Sequence, residues 1–118
     1  MQQQKKVEKL VEWFIRSALR HAEAVAALQE EVAALQVESL NRFSAALRQE
    51  EGGIQQLLTV LDHADPAVAG MAAVYSLREA PERCRATLVR VSQEPGLIGF
   101  RAQIALERWD SGDWPGNG

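Results

Sequence analysis

Few residues in this chain could carry chemistry, and their spacing decides what they could do. The two histidines, His21 and His63, stand far apart. His63 sits in LDHADP between Asp62 and Asp65, and an Asp-His-x-Asp run offers the imidazole and carboxylate donors that first-row metals take. A bound ion needs about three or four such donors to converge on it. No second cluster of histidine or carboxylate is spaced to complete the set, and Asp65, directly ahead of Pro66, is required as a helix cap. No metal is therefore expected. His21 falls on the apolar seam of a long helical segment, where a histidine packs against a neighbouring helix.

The single cysteine, Cys84, excludes an internal disulfide and a thiolate zinc site. It lies on the inner face of a helical pattern, where cysteine acts as a small hydrophobe, and no Cys-His arrangement is spaced to activate it. Gly52, Gly53 and Gly96 read as turn glycines, because phosphate loops and dinucleotide fingerprints follow a strand and none precedes them. The chain is expected to be no enzyme and to hold no cofactor.

Arg78, Arg83, Arg85, Arg90, Arg101 and Arg108 crowd the C-terminal half. From Gly53 onward these 6 arginines face 8 acidic residues, and the formal net charge of the 118-residue chain is -3. Binding to a phosphate backbone rests on a basic excess, so nucleic acid is not the expected partner. The spacings Arg78–Glu82 and Arg90–Glu94 suit ion pairs along solvated helix faces. Acids also recur at corresponding places. Asp62, Asp65 and Glu94 lie at two proline turns, and Asp110 and Asp113 lie beside Trp109 and Trp114. Capping and the helix dipole account for Asp65. Together, Asp62, Asp65, Glu94, Trp109, Asp110, Asp113 and Trp114 form the expected partner-binding set, in which the tryptophans are exposed anchors and the acids draw in a basic protein partner.

The elements that must position these residues are helices. From Met1 to Leu40 there is no Gly, Pro, Asn or Asp, and strong helix formers dominate. Val7, Val11, Phe14, Ala18, His21, Val25, Leu28, Val32 and Leu35 step by three and four, a heptad-like seam. Either one long helix pairing with another copy, or a hairpin, satisfies that seam. Burial within one chain favours the hairpin, turning near Gln29–Glu31, since each large apolar side chain left in water forgoes about 1.5–3 kcal/mol. EEGG at residues 50–53 ends this unit. Beyond it come a short helix through Leu61, a charge-free helix from Pro66 to Leu77, a third opening at Pro81 and a fourth from about Leu97 to Asp110. A helix without a charged face belongs at the centre.

Two stretches echo each other. Leu61–Leu77 and Arg90–Leu106 align without a gap, matching Pro66 with Pro95, Gly70 with Gly99 and Ala73 with Ala102, while Met71 faces Phe100. Each is a helix end, a proline turn and a new helix. Such pairs stack because none buries its apolar face alone, and the matched glycines are expected where helices cross closely. The expected fold is all-α, a HEAT-like stack of about three antiparallel helix pairs. One domain spans residues 1–111, divided into an N-terminal helix or hairpin at 1–51 and two repeated pairs at 53–111. Residues 112–118 form a flexible tail.

NRF at Asn41–Phe43, LLTVLDHADPAVAGMAAVYSL, APERCRATLVRV and PGLIGFRAQIALERW resemble a bacterial family of HEAT-like helical domains, domain-of-unknown-function family number two thousand and nineteen. The similarity runs from about Val7 to Trp109 and is best from Leu57 onward. The resemblance implies an all-helical scaffold with no assigned active site. Members resemble the small immunity proteins that occur beside polymorphic toxins, so it also implies a non-catalytic module that neutralises a toxin by binding it. The alternatives are a structural module dimerising through its long N-terminal helix and a helical-repeat scaffold handling nucleic acid, and the chain is expected as a monomer or a homodimer. No apolar run reaches the roughly 18 residues of a membrane span, and the polar start lacks a secretory signal, so a cytoplasmic protein is expected.

Overall fold

A computed structural model describes residues 2–114. They are all-α: α1 Gln2–Ala26, α2 Glu30–Gln49, α3 Gly53–Thr59 extended by a 3-10 turn Val60–Asp62, α4 Pro66–Ser76, α5 Pro81–Val91 and α6 Gly96–Asp110. No strand occurs among them.

The N-terminal segment folds as a hairpin, with α1 packed along α2. The chain reverses through residues 27–29, slightly ahead of the expected turn. Leu28 adopts φ 58°, and Gln29 N donates to Ala24 O at 2.8 Å to close the end of α1. A left-handed leucine brings its Cβ against the backbone, a strain of about 1–2 kcal/mol, and at 84% exposure it gains little burial in return. Leu28→Gly is therefore expected to stabilise the chain by up to about 1 kcal/mol, read as a higher urea midpoint. A lower midpoint would mean that Leu28 is held by contacts worth more than the strain.

This reversal also corrects the seam. Val7, Phe14, Ala18 and His21 are buried as expected, whereas Val32 and Leu35 are exposed. After the turn the inward stripe of α2 passes to Leu40, Ser44 and Leu47. The periodicity continued across the turn, but the face that meets the body did not.

The charge-free α4 packs against α1, α3, α5 and α6. Its start is built by local chemistry. Asp65 Oδ1 accepts from Ala67 N at 2.9 Å, and Pro66 supplies a preset φ at the first helical position. His63 Nδ1 accepts from Asp65 N at 3.0 Å, so the imidazole braces the same turn. Arg90 does not follow its expected pairing with Glu94. Its Nη2 donates to Leu61 O at 2.8 Å, tying the end of α5 to the 3-10 turn.

The matched glycines have different causes. A methyl built on Gly70 would lie 3.3 Å from Val91 Cγ1, a helix-to-helix contact with α5. One built on Gly99 would lie 1.8 Å from Glu94 O, inside the backbone of the turn that enters α6. Only the first is a close helix crossing.

The tail expected at 112–118 lies outside the described residues from 115 onward. Before that point, Asp113 N donates to Arg108 O at 2.9 Å, closing a turn at the end of α6.

Candidate functional site

The five acids fall into two groups at opposite ends of α6, the proline turns and the C-terminal end. Asp62 and Glu94 are exposed, at turns that the Arg90–Leu61 hydrogen bond brings side by side, and Asp65 is occupied as the α4 cap. Asp110 and Asp113 lie at the other end of α6, about 20 Å away along a helix rising 1.5 Å per residue. Arg85 Nε and Nη2 donate to the two carboxylate oxygens of Asp110 at 3.0 and 2.7 Å, a bidentate pair across α5 and α6. That hydrogen bonding lowers the pKa of Asp110 and raises that of Arg85. Asp113 stands 4.0 Å from Arg108. Trp109 and Trp114, expected as exposed anchors, are half-buried against each other with centroids 5.9 Å apart in an edge-to-face arrangement.

What the fold creates instead is a groove of about 1370 Å³. α4 forms its floor with Gly70, Met71 and Val74; the inner end of α1 and Val37 of α2 form one wall, and α6 forms the other. α6 buries Gly99, Ala102 and Ala105; the two alanines line the base of the groove, and Leu97, Phe100 and Ile104 line it at 51%, 57% and 38% exposure. Large apolar side chains left exposed together along a concavity mark a binding surface more than a solvated face. Sequence reading missed these residues. Two signals pointed to them: α6 carries apolar residues on a second face, and α4 is apolar all round although only part of its circumference is covered. The aligned pair Met71 and Phe100 both line the groove, so the internal echo also marks this surface.

The polar groups of the groove are mostly cationic. Arg48, Arg78, Arg101 and Arg108 line it with a single acid, Glu79. Arg48 is tied down, donating from Nε to Glu79 Oε1 at 2.9 Å and from Nη2 to Tyr75 O. Tyr75 OH in turn donates to Asn41 Oδ1, linking α4 to α2. Arg101 has no hydrogen-bond or ion-pair partner among the described residues.

His21 stands in the α1 wall and is 5% exposed. Burial, and then the charge of Arg101 nearby, lower its pKa below the ordinary 6.5. The unfolded chain therefore takes up this proton at higher pH than the folded one. Stability is expected to fall as pH drops below about 6.5 and to level off only below the folded pKa. Melts of the parent and of His21→Gln from pH 7.5 to 5 check this, and the parent should lose more. Equal losses would show that His21 does not carry the dependence.

Cys84 offers no nucleophile, since burial pushes its thiol up to about 11. Among the described residues no three His, Cys, Asp or Glu side chains come together to hold a metal ion. No described helix is long and apolar enough to cross a membrane.

No family model and no curated protein matches this chain significantly. Among solved structures, the crystal structure of the protein RPA1889 from Rhodopseudomonas palustris CGA009 matches with a TM-score of 0.83 at 19% identity, covering 95% of this chain and 94% of that one. At that identity the likeness concerns the fold.

Proposed function

We propose that this chain is a non-catalytic protein-binding module of the HEAT-like kind that takes its partner in the groove between α1 and α6. The observation that carries this reading is the row Leu97, Phe100 and Ile104, exposed on α6 beside an apolar floor. A row of this kind is normally covered when the protein is at work. The specific form is immunity-type: the module occludes a toxin domain made by a neighbouring gene, as the resemblance to HEAT-like immunity proteins suggests. The groove shifts the expected contact from the acidic turn edge to an apolar surface, whose lining includes neither Asp62 nor Glu94. The test is a pull-down from the native host with the parent chain and with Phe100→Asp, each checked for an unchanged melting curve. A protein retained by the parent and lost by the variant, above all the product of an adjacent gene, is the expected result. Equal retention would sink the groove as the binding face.

One observation favours a second reading, dimerisation through the N-terminal hairpin. Leu28, Val32 and Leu35 form an exposed apolar stripe at its tip. Light scattering of the parent and of Leu35→Glu separates the two readings, since a monomeric parent removes this one.

A further inference from the structure

Resting on the groove as the binding face, we infer that its occupant is an amphipathic, acidic α-helix of about three turns, laid along α6 with its apolar stripe inward and its carboxylates toward Arg101 and Arg108.

Size is the first argument. A helix of about 10 Å diameter occupies about 80 Å³ per Å of length, so a groove of this volume takes about 17 Å of it. The groove's own volume is about 1370 Å³. The second argument is backbone chemistry. The groove is lined mainly by helices and by no strand, so it offers no strand edge to an extended peptide. A segment entering an apolar groove must satisfy its own backbone, and a helix does so internally.

Charge supplies the third argument. The chain as a whole is acidic, at -3, yet the groove holds four arginines against one glutamate. Arg101 and Arg108 are seven residues apart on α6, two turns on the same face, flanking the apolar row. Arg48 is already matched by Glu79, and Arg108 meets Asp113 only at 4.0 Å. Arg101 is left to an incoming carboxylate. Its field already acts within the groove, where it opposes protonation of His21. Acids spaced by about seven residues on an amphipathic helix would meet both cations while its leucines cover Phe100 and Ile104.

The test selects a displayed library of random peptides of about 16 residues, long enough for the three turns, against the full chain and in parallel against a Phe100→Asp, Ile104→Asp variant. The expected binders are lost on the variant and gain helical circular dichroism when bound. They carry Asp or Glu beside an apolar stripe. Arg101→Glu weakens them about tenfold, and raising salt from about 0.05 to 0.3 M weakens them several-fold. Groove-dependent binders that are basic or extended, or that ignore Arg101→Glu, overturn the acidic helix and leave the groove standing. Binders equally retained by the variant, or a groove that takes dodecanoate and no peptide, overturn both.

Discussion

Gly99→Ala is expected to lower the melting temperature by about 10 °C, whereas Gly70→Ala leaves it nearly unchanged. Alanine favours a helix interior over glycine by about 1 kcal/mol at either site. At Gly70 the added methyl meets Val91 Cγ1 at 3.3 Å, a side-chain atom that can give by a few tenths of an ångström, so gain and crowding nearly cancel. At Gly99 it meets Glu94 O at 1.8 Å, Glu94 C at 2.9 Å and Ser92 O at 3.0 Å. These are backbone atoms, and they move only if the turn into α6 moves. That turn already passes through Gly96 at φ 73°, which leaves it few other routes. The penalty belongs at the upper end of overpacking costs, about 3 kcal/mol, leaving about 2 kcal/mol net. Thermal melts of the two single variants decide it. A Gly99→Ala protein as stable as Gly70→Ala would show that the turn relaxes freely.

Phe14→Ala is expected to cost about 3–5 kcal/mol, a large part of the roughly 5–15 kcal/mol available to a domain of this size. Phe14 is fully buried and meets Tyr75 edge-to-face, with centroids 5.6 Å apart and planes at 89°. It thereby joins the hairpin to α4, the floor of the groove. Its truncation removes transfer energy, leaves a cavity and frees Tyr75, whose hydroxyl bridges to Asn41 of α2. Urea titration should show the loss, and hydrogen exchange should place it first in the amides of α1. Phe14→Leu, which keeps most of the volume, should cost less than half as much. A Phe14→Ala protein within about 1 kcal/mol of the parent would mean that the hairpin is held elsewhere.

The all-α class was legible because helix boundaries here are local chemistry. Asp65-Pro66, Pro81 and the glycines at residues 52–53 each satisfy or terminate a backbone run within a few residues of themselves. Burial of α4 was legible too, since a run without charge cannot face water on every side. The role of Asp65 as a helix cap was legible as well, and His63 accepts a hydrogen bond from Asp65 N within the same turn.

What lay beyond the sequence was which helix faces which. Periodicity marks a stripe on each element but not its partner, so Val32 and Leu35 looked continuous with Phe14 although the reversal at Leu28 turned them outward. Asp110 looked like a free acid at the C-terminal end, yet it is matched to Arg85 on a different helix, a pairing made only when α5 and α6 pack. Gly70 and Gly99 looked equivalent because alignment compares letters. One faces a side chain and the other a carbonyl, and only tertiary distances tell them apart. The groove is the largest case. Met71, Phe100 and Ile104 carry the signature of core residues, and a sequence cannot show that the hairpin and α6 stand apart over α4. That gap is set by how the helices pack on one another, and it leaves part of an apolar surface exposed along the groove.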